Sequence, residues 1–378
     1  MLTIPGLPVP GHLAHALGLL TLLPRGAPGY ARRVAPAEAI SHFEFWPRWL
    51  FYLPLVAYWA GRAVRHGSIT LPTAANPGIE TGGLCGESKS AILDRVEGDA
   101  RAAIAPYTVA VAGEALSRGA VGKLGWPLVV KPDIGCNGAG VRLVRDAAAL
   151  RTALGSFPRD TLVLVQAFAP GPGEAGVFYV RAPGEACGRI TSLTLKHAPS
   201  VVGDGRSTLR ALVLAHKRAG QVPHLYLPRF RDRLGCVVPA GETVPLVFAG
   251  NHCKGSVFRD GAAMITPELT ARIDAFARAL PGFRFGRIDL RYPSDAALRA
   301  GRDLLVLEVN GVGSEATHIW DGTCSLRDAY RAQFAHHRMA WELGRAMRVR
   351  GHAPSGVRAV LRAWRRQRRL MAAYPPGD

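Results

Sequence analysis

Two apolar stretches, FGRIDLRY and LLVLEVNG, carry polar residues at every second position. Residues i and i+2 of a strand point to the same side, so Arg287 shares a face with Asp289, and Glu308 shares one with Asn310. If the two strands pair as a hairpin, all four polar groups converge on one surface. Carboxylate and amide oxygens are ligands that Mg²⁺ accepts. A solvated hairpin face whose charges pair with each other gives the same pattern.

Strand and helix patterns alternate along the chain from about residue 86. Apolar runs bounded by Pro or Gly predict strands at WPLVVKP, VRLV and TLVLVQAFA, while AGVFYVR and RITSLTL alternate like an antiparallel pair. Helices are predicted at ESKSAIL, at DAAALRTAL and at STLRALVLAHKRA, the last with Ser207 as its N-cap. A further helix, TPELTARIDAFARAL, is predicted with Thr266 as its N-cap and Pro267 at its first position.

The first 85 residues are rich in Pro and Gly and contain the aromatic cluster HFEFWPRWLFYLP. The run WLFYLPLVAYWA at 49–60 includes Pro54 and is too short to cross a bilayer. It predicts a buried helix or a wall that faces a substrate, and a monotopic membrane contact is the alternative.

The end of the sequence predicts a basic amphipathic helix. Val357, Val360, Leu361 and Trp364 form one apolar stripe, and RRQRR lies on the other side. A surface helix docked on the body and a contact with a membrane surface or an acidic partner both fit this pattern.

Composition narrows the function classes. The net charge of +19 favours anionic partners, and only six of the 47 basic residues are lysines. Six scattered cysteines without a Cys-x-x-Cys pair argue against a zinc site or a disulfide framework and fit a reducing cytosol. The charged start of a secretory signal is missing before Arg25, so we expect a cytoplasmic protein. The aromatic–basic pattern of nucleic-acid binding is absent from the sequence, so no nucleic-acid partner is expected.

A lysine and a glycine-rich turn follow each other in LVVKPDIGCNGAGVRLV. Lys131 ends a predicted strand, directly before Gly135, Gly138 and Gly140. Glycine lets backbone N–H groups approach phosphate oxygens, and a lysine on a strand supplies a point charge. The spacing fits neither the dinucleotide fingerprint nor the Walker A motif.

The order of these motifs over residues 86–325 resembles the ATP-grasp superfamily, and within it the carboxylate–amine ligases similar to D-alanine–D-alanine ligase. KHAPSVVGDGRSTLRAL is similar to the central segment of cyanophycin synthetase. The resemblance implies an α+β ATP-grasp fold whose two lobes clasp ATP, at residues 86–330. An atypical N-terminal region, 1–85, would precede it, and a basic helical tail, 331–378, would follow.

The resemblance also implies roles for individual residues. Arg287 would stabilise the transferred phosphoryl group, and Lys196 would reach either the phosphates or the acyl substrate. Magnesium would be bound by Asp289, Glu308 and Asn310. The residues expected to contact ATP are Lys89, Lys131, Gly135, Gly138, Gly140, Gln166, Phe168, Glu174, Asn251 and Lys254.

The implied reaction uses ATP to phosphorylate a small-molecule carboxylate, and an amine then attacks the acyl phosphate to form an amide. His197, His252 and His318 adjoin the motifs as substrate contacts, proton acceptors or structural histidines. Glu315 suits an amine substrate that carries positive charge. The alternative function is a non-catalytic ATP-binding module that its basic tail docks to a membrane or an acidic partner.

Overall fold

The computed structural model describes residues 40–114, 118–248 and 250–377. Its helices are α1 (Arg48–His66), α2 (Lys89–Leu93), α3 (Arg118–Gly122), α4 (Ala147–Gly155), α5 (Leu209–Ala215), α6 (Pro267–Arg278), α7 (Asp295–Arg299), α8 (Leu326–Val349) and α9 (Val357–Ala373). Its strands are β1 (Tyr107–Val111), β2 (Leu128–Pro132), β3 (Arg142–Val144), β4 (Leu162–Ala167), β5 (Gly173–Val180), β6 (Arg189–His197), β7 (Ser200–Val202), β8 (Thr243–Pro245), β9 (Val257–Asp260), β10 (Phe285–Tyr292) and β11 (Leu305–Asn310).

The strands form two main antiparallel sheets. The smaller has the order β1-β4-β2-β3, the larger has the order β11-β10-β5-β6-β9, and β7 pairs with β8 in a separate ribbon. Helices pack against antiparallel sheets instead of alternating with parallel strands, which is the α+β class. The fold class expected from the sequence is therefore confirmed.

The helix ends follow local hydrogen bonding. Thr266 caps α6 as predicted, because its side chain accepts a hydrogen bond from a backbone N–H in the first turn. The prediction that Ser207 caps α5 was wrong. Thr208 caps this helix by accepting from the N–H of Ala211, whereas the Ser207 hydroxyl donates to Asp204 Oδ2 at 2.7 Å.

The larger sheet has one apolar face and one face that carries the polar pairs. Ile288 and Leu290 of β10 are fully buried in a core that also holds Val177 of β5 and Phe276 of α6. Because side chains alternate along a strand, this burial turns the neighbouring positions of β10 to the opposite side. The apolar core thus fixes the direction in which the polar residues of β10 point.

The aromatic run near residue 50 forms α1. This helix buries Phe51, Tyr52, Leu55 and Trp59, so the prediction of a buried helix is confirmed, although Trp49 on its outer side is 62% exposed. Within the part of the chain that the structure describes, every helix is too short or too polar to cross a membrane.

The basic tail ends in α9, as the apolar stripe predicted, and the docking face shares only part of that stripe, since Val360 packs against the core cluster that contains Trp341. The helix buries Ala363 and Gln367, and Gln367 Oε1 accepts a hydrogen bond from Gly86 N at 2.8 Å. Val357 and Leu361 of the stripe are 50% and 38% exposed. At Gly86 the contact is made by the small Ala363 side chain and the Gln367 amide, because this residue has no side chain and its backbone N–H is available as a donor.

Candidate active site

The polar pairs of β10 and β11 meet on one face of the larger sheet. Arg287 lies opposite Asn310, and Asp289 lies opposite Glu308. Asn310 Nδ2 donates to Asp289 Oδ2 at 3.1 Å and to Glu308 Oε1 at 3.2 Å. All four side chains line one cavity of about 480 Å³. The hairpin and the shared face expected from the sequence are both present.

Two cations hold the carboxylate of Asp289. Arg287 donates from Nε to Oδ1 at 2.9 Å and from Nη2 to Oδ2 at 2.9 Å, and Lys196 Nζ lies 3.0 Å from Oδ1. Burial alone would raise the pKa of Asp289, but Arg287 and Lys196 outweigh burial and hold this pKa below its usual range. Asp289 is therefore ionised at neutral pH.

Lys196 joins Asp289 to a second carboxylate. Its Nζ lies 3.0 Å from Glu174 Oε1. Burial disfavours the charged ammonium, but Asp289 and Glu174 overcome burial and raise the pKa of Lys196 above its ordinary value. The lysine thus stays charged between two strands. Glu174, expected to contact ATP, forms an ion pair with Lys196.

Two further lysines approach from the side of the smaller sheet. Lys131 reaches from β2 across to β11, where its Nζ donates to Leu307 O at 3.0 Å. Burial lowers the pKa of Lys131 to about 8, and the charge of Glu308 opposes this effect. Lys89, at the start of α2, donates from Nζ to Gly135 O at 2.6 Å. Both lysines line the cavity.

The glycine-rich turn contributes two of its three glycines to the cavity wall. Gly135 and Gly138 line the cavity, and Gly138 has a φ of +67°. Gly140 is not part of the wall, among the described residues. A Cβ at Gly140 would lie 2.9 Å from Phe157 Cε1, so this glycine allows the turn to pack on a buried aromatic ring.

Of the remaining residues expected to contact the nucleotide, some line the cavity and one does not. Gln166, Phe168 and Asn251 line the cavity, whereas Lys254 is not among the described residues that form its wall. The Phe168 N–H already donates to Pro127 O at 3.1 Å, so this N–H is used within the protein.

A carboxylate that the sequence reasoning did not select lines the same cavity. Glu87 Oε2 is buried without a hydrogen-bond partner in the described chain. Burial raises the pKa of Glu87, Glu308 and Glu80 add to this effect, and Lys89 opposes it. A buried carboxylate with a raised pKa is typical of a functional group. Its position two residues before Lys89 was the available signal.

Only one of the three candidate histidines faces the cavity among the described residues. His252 lines it, whereas His197 and His318 do not. His252 Nε2 lies 3.0 Å from Glu44 Oε1. The cavity wall thus includes a histidine held by a carboxylate from the N-terminal region.

The expectation that Glu315 serves a cationic substrate is not supported by its contacts. Glu315 is 7% exposed, and its carboxylate accepts from Tyr52 Oη at 2.8 Å, from Trp320 Nε1 at 2.8 Å and from Gln333 Nε2. Because neutral protein donors use both of its oxygens, Glu315 acts in this arrangement as a support for the cavity wall.

The segment that follows α9 lies against the glycine-rich turn. Tyr374 donates from its hydroxyl to Ile134 O at 2.7 Å, and Arg142 Nε donates to Pro376 O at 3.3 Å. Gln367 of α9 also lines the cavity. The tail is therefore part of the structure that holds the turn, a role that the basic pattern alone did not indicate.

Comparison with known proteins gives structural neighbours only. No family model and no curated protein matches this chain. D-alanine–D-alanine ligase from Bacillus anthracis is similar over 72% of this chain and 70% of its own, at 18% identity and a TM-score of 0.43. VanG D-Ala:D-Ser ligase from Enterococcus faecalis is similar over 71% and 64%, at 15% identity and a TM-score of 0.39.

A bifunctional glutathione synthetase from Pasteurella multocida is similar over 68% of this chain and 35% of its own, at 17% identity and a TM-score of 0.35. By their names, these neighbours are ligases and synthetases of the kind that the sequence motifs resemble. TM-scores below 0.5 support no conclusion about the function of this chain.

Proposed function

We propose that this protein is an ATP- and Mg²⁺-dependent ligase that joins a carboxylate to an amine through an acyl phosphate, with residues 86–330 as its catalytic domain. The observation that carries the proposal is the convergence of Arg287, Asp289 and Glu308 on one wall of a cavity that Lys131 enters from the other sheet. Phosphoryl transfer needs positioned cations and metal ligands more than a nucleophilic side chain, and this set supplies both.

The donor set fits magnesium. Asp289 and Glu308 each direct one carboxylate oxygen to the Asn310 amide, so the three side chains meet at one point. To act as a ligand, the amide would turn Oδ1 toward the ion in place of Nδ2, because an amide nitrogen only donates hydrogen bonds. Hard oxygen ligands with room for phosphate oxygens are the environment that Mg²⁺ accepts. When bound by Asp289, Glu308 and Asn310, the ion would neutralise charge on the phosphates.

The other cavity residues divide the remaining tasks. Lys89, Lys131 and the backbone of the glycine-rich turn hold the phosphates, while Arg287 stabilises the transferred phosphoryl group. Lys196 positions Asp289, because it links that carboxylate to Glu174. Gln166 and Phe168 border the adenine.

Glu87 is assigned to the second half of the reaction. The amine nitrogen attacks the carbonyl carbon of the acyl phosphate, the bond from that carbon to the phosphate oxygen breaks, and inorganic phosphate leaves. The proton that the nitrogen loses passes to the Glu87 carboxylate, whose Oε2 atom is buried without a hydrogen-bond partner among the described residues.

The test is ADP release from ATP with a panel of acids and amines. Release is expected only when an acid and an amine are both present, and it should stop when EDTA removes magnesium. Glu308→Gln should lower the rate by at least about a hundredfold, because it removes a charged metal ligand. Glu268→Gln, on the exposed first turn of α6, is the matched control. ATP binding without ADP release across the whole panel would instead support a non-catalytic module.

A further inference from the structure

One end of the cavity is walled by aromatic side chains that the proposed reaction does not use. Five residues define this aromatic end, namely Phe45, Trp46, His252, Phe258 and Trp320. They come from the N-terminal region, the turn before β9, β9 itself and the loop after β11.

The aromatic end adjoins the catalytic wall. Arg287 Nη1 donates to Glu315 O at 3.3 Å, and the Glu315 carboxylate in turn accepts from Trp320 Nε1. A group bound against these rings would therefore lie next to the strand that carries the proposed phosphoryl-stabilising arginine.

Three of the rings form a stack. The His252 ring lies between Trp320, at a centroid distance of 4.8 Å and an interplanar angle of 18°, and Phe45, at 5.9 Å and 13°. Phe45 is 41% exposed, so one member of the stack is open to a ligand. Stacked rings present a flat apolar surface with little freedom to rearrange.

Two buried carboxylates fix the orientation of this stack. Glu44 accepts from His252 and from Arg218, and Glu315 accepts from Trp320 and from Tyr52. Each carboxylate is used by protein donors, so neither one supplies a counter-charge for a cationic ligand. The recognition surface at this end is aromatic.

We propose that the aromatic end binds a bulky apolar group of the carboxylate or amine substrate, with an aromatic ring as the best fit. The inference rests on the proposed function for the identity of the reacting groups. It assigns Phe45 and Trp320 as specificity-determining residues, because burial of apolar surface against them favours a large side group over a methyl group.

The test measures binding without turnover, on the full chain with a non-hydrolysable ATP analogue and Mg²⁺. The probes are 3-phenylpropionate with propionate, and phenethylamine with ethylamine, compared by isothermal titration calorimetry. At least one phenyl probe is expected to bind at least about tenfold more tightly than its alkyl counterpart. Equal affinity within both pairs, or tightest binding of the diamine 1,5-diaminopentane, would overturn the proposal.

Variants separate the aromatic end from general damage. Phe45→Ala removes a partly exposed ring and should abolish the preference for the phenyl probe. Trp49→Ala is the matched control, since Trp49 is 62% exposed and is not among the described cavity residues. A phenyl preference that survives Phe45→Ala and is also unchanged in Trp320→Leu would place the binding elsewhere and refute the proposal.

Failure of this inference differs from failure of the proposed function. ADP formation that shows no preference for phenyl over alkyl substrates, and that is the same in Phe45→Ala as in the wild type for both kinds, would remove the aromatic subsite and leave the ligase. Phenyl binding that depends on Phe45, without ADP release for any pair, would uphold the subsite and remove the ligase.

Discussion

Two buried carboxylates of the cavity, one on the catalytic wall and one beside the aromatic end, have similar partners and different surroundings. Asp289 lies between Arg287 and Lys196, and Glu44 lies between Arg218 and His252. The Glu44 side chain is fully buried. The Asp289 side chain is 4% exposed and faces the interior of the cavity.

The difference lies in the number of charged groups around each carboxylate. Glu44 is one acid with two basic partners, and they lower its pKa although its burial would raise it. Asp289 has two further carboxylates nearby, since Glu174 shares Lys196 and Glu308 shares Asn310 with it. Arg287, Lys196 and Arg291 accompany these three acids, and Lys131 lies close to Glu308, so acids and bases are matched in number here as well. A network of several acids and bases on a cavity wall can exchange partners for a metal ion and phosphates, while a single acid held by two bases supports structure. A carboxylate between two basic groups is therefore expected to take part in the reaction at Asp289 and to stabilise the structure at Glu44.

The largest effect is expected from Asp289→Asn. The change keeps the shape of the side chain but removes a charged group from the proposed metal site, so ADP formation should fall about a thousandfold or more. Asp295→Asn, at an exposed position at the start of α7, is the control and should retain activity. Unchanged ADP formation in Asp289→Asn would contradict the contrast between the two ends.

The matching change at the other end is Glu44→Gln. It leaves buried Arg218 without its charged partner, so the free energy of unfolding should fall by about 3 kcal/mol. Urea denaturation measures this loss, and the KM for ATP of the folded fraction should stay near that of the wild type. A normal stability together with a lost activity would show that Glu44 serves catalysis.

The sequence predicted the end whose residues are close together along the chain. Arg287 with Asp289, and Glu308 with Asn310, repeat at the period of a strand, and one hairpin joins the two pairs. Lys131 could be selected from the sequence for the same reason, because it ends a strand just before a glycine-rich turn.

The aromatic end was not predictable in this way. Arg218 and Glu44 are 174 positions apart, and neither lies in a periodic pattern that points to the other. Glu315 was misinterpreted for the same reason, since Tyr52, which donates to its carboxylate, lies 263 positions away along the chain. Packing between remote segments decides these contacts, and a single sequence does not contain that information.

A smaller effect is expected on the pH dependence of the KM for ATP. Burial lowers the pKa of Lys131 to about 8, so its ammonium form is present below this value and is lost as the pH rises through it. The KM for ATP should therefore rise above pH 8, by at most about tenfold per pH unit. Steady-state kinetics between pH 7 and 9.5 measures the rise.

Arginine keeps its charge over this range, so Lys131→Arg should flatten the profile. Lys217→Arg changes an exposed lysine and should keep the wild-type profile. An identical rise in Lys131→Arg would assign the titration to another group.

The smallest effect is expected when one hydrogen bond is removed, either beside the glycine-rich turn or near the aromatic end. Tyr374→Phe removes the bond to Ile134 O beside the glycine-rich turn, and Tyr330→Phe removes a 2.9 Å bond to Phe51 O near the aromatic end. Each change should cost about 1 kcal/mol of stability. Only Tyr374→Phe should also raise the KM for ATP, by about fivefold, because of the two tyrosines only Tyr374 holds the turn that is proposed to contact the phosphates. If both variants raised the KM for ATP equally, the tail would contribute stability alone, and its contact with the turn would have no part in nucleotide binding.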